Sequence, residues 1–158
     1  MTQDNSLDKD KVEIRRDYYE PGVLYSETPY VNGKMHGIVR GYYKSGALWI
    51  EVSYVDEKRH GIERIYYESG ALWSEAPFVK GKMHGIDKEY YESGALHWEA
   101  PYVNGNMHGV EKVYEEGTSN IAKLTLYKDG IEVVTLHRES EKATSAIPNI
   151  QGDHSDSD

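Results

Sequence analysis

The chain of 158 residues contains no cysteine. Disulfide crosslinks, thiolate nucleophiles and cysteine-ligated metals are therefore excluded, and the composition fits a cytoplasmic protein. It holds a single phenylalanine, so large apolar area has to come from 14 tyrosines and 3 tryptophans, most of which carry a polar tip. No window approaches the ~18 apolar residues of a membrane-spanning helix. The opening MTQDNSLDKDKVE has no apolar core of the kind a secretory signal needs, and none is expected there. A basic stripe is also missing. Without one there is nothing to neutralise phosphates, and nucleic acid is not expected as a partner.

The net charge of −9 is unevenly placed. Residues 139–158 hold five acids and one lysine, and residues 1–15 hold four acids and three bases. Only −4 is left on the body between them, which is too little for an acidic decoy of a nucleic-acid-binding protein. It still disfavours an anionic membrane, which repels a surface of the same sign.

What the chain has in abundance is one sentence, repeated. YYESGALWSEAPFVKGKMHGI at residues 66–86 returns, with small changes, at residues 18–38, 42–62 and 90–110, always 24 residues on. A unit of this length cannot bury an apolar face alone and has to stack on its neighbours. Tyr, Trp, Val and Ile dominate, Gly or Pro interrupts too often for a helix, and LWSEAPFV alternates with period two. The units therefore read as strands. Leu72, Ser74, Ala76 and Phe78 point one way, and Trp73, Glu75, Pro77 and Val79 the other. Ile62, Arg64 and Tyr66 share a face, opposite Glu63, Ile65 and Tyr67.

Between the two strands lies ESGA, where Gly supplies a positive φ for a tight turn. A two-residue loop at Ser69 and Gly70 predicts Tyr67 opposite Leu72, Tyr66 opposite Trp73 and Arg64 opposite Glu75. The same register sets Arg16 against Glu27, Arg40 against Glu51 and Lys88 against Glu99, a structural charge ladder. Lys112 continues the basic series, and Lys123 is expected to break the acidic one. The junctions NGKMHG, DEKRHG, KGKMHG and NGNMHG turn the chain into the next hairpin. Glu57 replaces the first glycine of the second junction, so that loop is expected to differ locally. Two strand-like runs, residues 121–127 and 131–137, flank a final KDG turn and form a degenerate cap.

The fold class expected is all-β, an elongated single-layer antiparallel sheet of stacked β-hairpins. Residues 1–13 read as a flexible leader, 14–138 as the repeat domain and 139–158 as a disordered acidic tail.

Three series are candidates for function. His36, His60, His84 and His108 recur once per unit. Each unit advances the sheet by two strands, so equivalent atoms lie ~10 Å apart and cannot share one ion. Their expected role is a hydrogen bond between adjacent turns, and no metal or other cofactor is expected. The ladder offers one environment several times over, not the diverging carboxylates that acid–base catalysis needs, so no catalytic residue is expected. The third series is an aromatic stripe. Tyr25, Trp49, Trp73 and His97 occupy one repeat position, flanked across the hairpin by Tyr18, Tyr42, Tyr66 and Tyr90. Large aromatics beside paired charges suit a protein-binding hot spot. Partner-binding residues are therefore expected at Tyr25, Tyr42, Trp49, Tyr66, Trp73, Tyr90 and His97. The opposite face, with Tyr19, Tyr43, Tyr67, Tyr91 and Leu24, Leu48, Leu72, Leu96, is expected to be core.

The pattern that opens YYESGAL and closes NGKMHGI resembles MORN repeats over residues 14–131. It is most similar to the bacterial variant of YwqK-family antitoxins. The resemblance implies a β-hairpin array without catalytic residues, acting through a protein partner, a toxin domain in the antitoxin case. A structural or membrane-associated scaffold is the alternative it implies.

Overall fold

A computed structural model describes residues 11–138, and every regular element in them is a strand. In order these are β1 (Val12–Glu20), β2 (Val23–Val31), β3 (Lys34–Met35), β4 (Gly37–Tyr42), β5 (Leu48–Val55), β6 (Lys58–Tyr66) and β7 (Leu72–Val79). There follow β8 (Lys82–Met83), β9 (Gly85–Tyr90), β10 (Leu96–Val103), β11 (Asn106–Met107), β12 (Gly109–Tyr114), β13 (Ile121–Lys128) and β14 (Ile131–His137). They form one open antiparallel sheet in which sequence neighbours pair, from β1 at one edge to β14 at the other. The expected all-β array of hairpins is what the chain forms. β1 begins at Val12, inside the segment read as a leader. The expectations of a flexible leader before Lys11 and a disordered tail at 139–158 lie outside the described residues.

The hairpin register agrees with expectation away from the turn and departs from it at the turn. Arg64 faces Glu75 and Ile65 faces Ser74, but Tyr66 faces Leu72. The loop is one residue longer than expected. Tyr67 N–H donates to Ala71 O at 2.9 Å, and Gly70, at φ 88°, closes the turn onto Tyr67 O. A three-residue loop alone would push the strands out of register by one, and a bulge at Trp73 restores it. Trp49 and His97 take the same bulged place in their units. Only the first unit has a two-residue loop, at Pro21 and Gly22, with Glu20 facing Val23, and it too passes over Tyr25.

This bulge exchanges two side chains between faces. Leu72 joins Tyr66, Arg64 and Glu75, and Trp73 joins Tyr67, Ala76 and Phe78. The ring of Trp73 lies 6.4 Å from that of Tyr67. The side of Tyr67 is the core face: Val52, Ala76, Phe78, Ala100 and Thr125 are buried there, with Ala100 and Thr125 at 0% exposure. The expected core pairing of Leu72 with Tyr67 is thereby corrected. Leu24, Leu48, Leu72 and Leu96 line the opposite face, half-buried beside the charge ladder. A one-layer sheet has no second layer to bury long side chains, so its most buried places go to small residues in the middle of the strands.

Each junction is a two-residue turn with both residues at positive φ, such as Lys80 (50°) and Gly81 (86°). Glu57 takes φ 66° and donates its N–H to Met35 O at 2.9 Å, as Gly81 does to Arg59 O and Gly105 to Met83 O. The DEKRHG junction therefore keeps the common turn, and the expected local difference is absent from its backbone. After each turn the strand carries two more residues than its neighbour, at the His-Gly pair. Gly85, at φ 124°, lies against the Pro77 ring, where a Cβ would meet Cγ at 2.8 Å. Proline cannot donate to a ladder, and here it stands where the ladder is already opened. Its carbonyl still accepts, from His84 N–H at 2.9 Å.

Candidate interaction face

The ladder runs unbroken across nine strand positions. Glu27 lies between Arg16 and Arg40, and Glu51 between Arg40 and Arg64. Glu75 lies between Arg64 and Lys88, and Glu99 between Lys88 and Lys112. Arg16 Nε reaches Glu27 at 2.7 Å, Arg40 Nε reaches Glu51 at 2.8 Å and Lys112 Nζ reaches Glu99 at 2.6 Å. Arg64 and Lys88 both sit 3.9 Å from Glu75. Partly exposed pairs of this kind contribute ~0–1 kcal/mol each, so the ladder sets register more than it adds stability. The ladder ends at Lys112 as expected, but the residue facing Lys112 on the next strand, which breaks the series, is Leu124 and not Lys123. Lys123 turns to the core face, 3.3 Å from Glu111 Oε2.

The paired tyrosines join the units in both directions. Tyr42, Tyr66, Tyr90 and Tyr114 donate back to Glu27, Glu51, Glu75 and Glu99 of the preceding unit. Tyr19, Tyr43, Tyr67 and Tyr91 donate forward to the carbonyls of Tyr42, Tyr66, Tyr90 and Tyr114 at 2.8–3.2 Å. Burial and then the Glu75 carboxylate push the Tyr90 hydroxyl up to about 12. Hydrogen bonds from Arg16 to Glu27 and from Lys112 to Glu99 hold those carboxyls below their ordinary value.

The expected aromatic stripe is split by the bulge. Tyr42, Tyr66 and Tyr90 stand on the ladder face with their hydroxyls engaged, while Tyr25, Trp49, Trp73 and His97 stand on the core face. There Tyr25 packs on Tyr19 at 5.0 Å and His97 on Tyr91 at 4.5 Å. The ring of Trp49 covers Gly41, whose absent Cβ leaves it room. The seven residues therefore do not form one surface.

A surface that sequence reading missed lies beside the ladder. Ile14, Ile38, Ile62, Ile86 and Val110 repeat along the ladder face, and all are between 40% and 51% exposed. Pro29, Ser53, Pro77 and Pro101 stand between them in register. A depression of about 300 Å³ opens between the first two rungs, lined by Ile14, Glu27, Pro29, Gly37, Ile38 and Arg40. Val55, Val79 and Val103 flank the stripe, also exposed. Beyond them lie Lys34, Lys58 and Lys82, each cross-strand from a valine and with no ion-pair partner among the described residues. The available signal was that Ile62 shares a face with Arg64 and Tyr66. What sequence could not show is that none of the described residues covers that face.

Residues 35–56 and 59–80 match the MORN repeat variant. These are two adjacent units of the array, and their geometry continues through the units on either side. No curated protein matches the chain. MORN repeats mediate protein or membrane interactions, and an extended, patterned face suits that work better than a pocket.

The histidines join neighbouring turns where an acid follows. His108 Nδ1 lies 3.0 Å from Asp129 Oδ1, and His36 Nδ1 lies 3.6 Å from Asp56 Oδ1. On the core face Glu63, Asp87 and Glu111 follow one another across the sheet, opposite Ala76, Ala100 and Thr125. Burial, with Glu89 nearby, pushes the Asp87 carboxyl up to about 6. Burial acts the same way on Glu111, but the polar hydrogens of Trp98 and Thr125 and the ammonium of Lys123 outweigh it and hold that carboxyl down. Glu111 Oε2 has no well-aligned hydrogen bond, and Lys123 meets its charge instead.

Proposed function

We propose that this chain is a non-enzymatic, cytoplasmic interaction module that docks a partner protein across the aliphatic stripe and neutralises it, in the manner of an antitoxin or immunity protein. The observation that carries the docking part is the row Ile14, Ile38, Ile62, Ile86 and Val110, exposed in register on one face. A contiguous apolar row of this kind marks an interaction site. The partner it suits has an apolar ridge with carboxylates along one flank, facing Lys34, Lys58 and Lys82. The neutralising part rests on the resemblance of the units to the bacterial repeat variant.

The test is capture from a cell extract with the native chain and with Ile62→Asp/Ile86→Asp, followed by mass spectrometry and an activity assay of the captured protein. The reading expects a partner that is lost with the variant and inhibited only by the native chain. Capture that survives the variant, with folding intact, refutes the stripe. A second reading, a membrane-associated scaffold, draws on the lysines beside exposed aliphatics. Stripe-dependent binding to phosphatidylserine vesicles would favour it.

A further inference from the structure

The core face carries a second periodic surface, at the hairpin tips. Tyr19, Tyr43, Tyr67 and Tyr91 stand where β1, β4, β6 and β9 enter their turns. Tyr25, Trp49, Trp73 and His97 stand at the start of the strands that follow, β2, β5, β7 and β10. These eight strands are consecutive across the sheet, so the rings form one row with a pair per hairpin. Tyr19, Tyr25 and Trp73 are each 41% exposed and the other rings half-buried, which leaves ring surface free for a ligand. The rings are also fixed in place. The four tyrosine hydroxyls are bonded to the next unit's backbone, and Trp49 lies on Gly41, so docking has little ordering cost here.

Acids accompany the row. Glu68, Glu92 and Glu116 take the same place in three successive turns and are exposed. Their carboxylates have no hydrogen bond or ion pair among the described residues. Burial, and then Glu92, Glu89 and Glu116, push the Tyr67 hydroxyl up, so these charges act on the rings. The first two units show the row with a cation in place. Lys44 stands where the next unit has Glu68, with its Nζ 3.7 Å from Glu20 Oε1 and 5.9 Å from the centroid of the Tyr19 ring. From the third unit on, among the described residues, the turn acids and the rings beside them have no such cation.

We infer that this row docks a basic, proline-rich segment of a partner protein, laid across the strands as a polyproline II helix with one of its turns per hairpin. The period selects this occupant. Equivalent rings are two strands apart, ~9.4–9.8 Å. One polyproline II turn is three residues and ~9.3 Å, so over the four ring pairs the mismatch stays near ~1 Å. Two turns of α-helix take ~10.8 Å and drift by ~3–4 Å over the same distance. An extended strand repeats its side chains every ~6.6 Å and keeps no register with the pairs. A polyproline II helix offers prolines to aromatic rings along one edge. Its other positions bring an arginine or lysine once per turn to Glu68, Glu92 and Glu116. The aliphatic stripe lies on the opposite face and prefers acids along its flank, so the two readings stand or fall separately.

The test is binding of a fluorescently labelled peptide of four Pro-Pro-Arg triplets, ~37 Å long in this conformation, to the full chain. The row crosses eight strands, ~34 Å, and saturable binding is expected. Trp49→Ala/Trp73→Ala should weaken it about ten-fold or more. Glu68→Lys/Glu92→Lys, at exposed tips where folding is not at stake, should weaken it as well and reduce its salt dependence. Ile62→Asp/Ile86→Asp should bind the peptide as the native chain does, melting curves confirming that each variant is folded. No binding overturns the inference, as does binding that survives either substitution in the row. Equal binding of Gly-Gly-Arg triplets would reduce the site to charge alone, and equal binding of Pro-Pro-Pro-Arg repeats would remove the match of period. Either result refutes it.

Discussion

Substituting Gly85 by alanine tests whether the His-Gly signature is a packing requirement of the array. Gly85 has φ 124°, and a Cβ built there lies 2.8 Å from Pro77 Cγ and 3.4 Å from Pro77 Cβ. Holding a side chain at such a φ costs ~1–2 kcal/mol. Forcing it into a rigid ring adds ~1–3 kcal/mol of overpacking, since neither partner can rotate away. Gly85→Ala should therefore lose ~2–5 kcal/mol in urea denaturation. Gly70→Ala is the control: its φ is 88°, but no heavy atom lies within 4 Å of the new Cβ. It should lose only the backbone part, ~1–2 kcal/mol. Pro77→Ala combined with Gly85→Ala should recover ~1–2 kcal/mol, a coupling that a double-mutant cycle reads directly. Equal losses at Gly85 and Gly70, or a coupling near zero, would refute the steric account and leave only backbone conformation.

Two further outcomes follow from the hydrogen bonds and charges. Tyr67→Phe removes the bond to Tyr90 O and should cost ~1 kcal/mol in the same denaturation assay. Tyr90→Phe leaves Glu75 Oε1 without its 3.0 Å donor and should cost about the same or slightly more, the acceptor being charged. The third outcome concerns pH. Folding raises the Asp87 carboxyl from 3.8 to about 6, so between those values the folded chain binds the proton that the unfolded chain has lost. Stability from this group is therefore greatest in acid and falls as pH rises through the window, the penalty being complete above about 6. The group keeps some solvent contact, which limits the penalty to ~1–2 kcal/mol. Asp87→Asn should be more stable than the native chain at pH 7 and equal to it near pH 4, by melting at each pH.

The register was legible because opposite charges recur 11 residues apart, as in Arg40 and Glu51, and only one antiparallel register brings all of them together. The faces were not, because Leu72 and Trp73 are both large and apolar, and alternation assigns them by parity alone. Parity fails at a bulge, and the bulge could have been inferred from two facts taken together. A loop with Gly70 as its third residue pairs Tyr67 with Ala71, and continuing without interruption would set Arg64 against Ser74. Keeping Arg64 on Glu75 demands one extra residue between Leu72 and Ser74, and that residue is Trp73.

The aliphatic stripe was hidden for a different reason. Ile62 in a two-layer protein would be core, and its sequence neighbours do not say whether a second layer exists. In a sheet of one layer the same residue is left at the surface, and the number of such residues grows with every unit added. An array with an Ile or Val at this place in five successive units presents a line of apolar rungs, which a partner with a matching ridge can cover in one approach. The repeat that makes the sheet foldable from local hairpins also makes its uncovered face periodic. On the proposed reading, recognition by this chain is a matter of matching a spacing of two strands, ~10 Å, and not of filling a pocket.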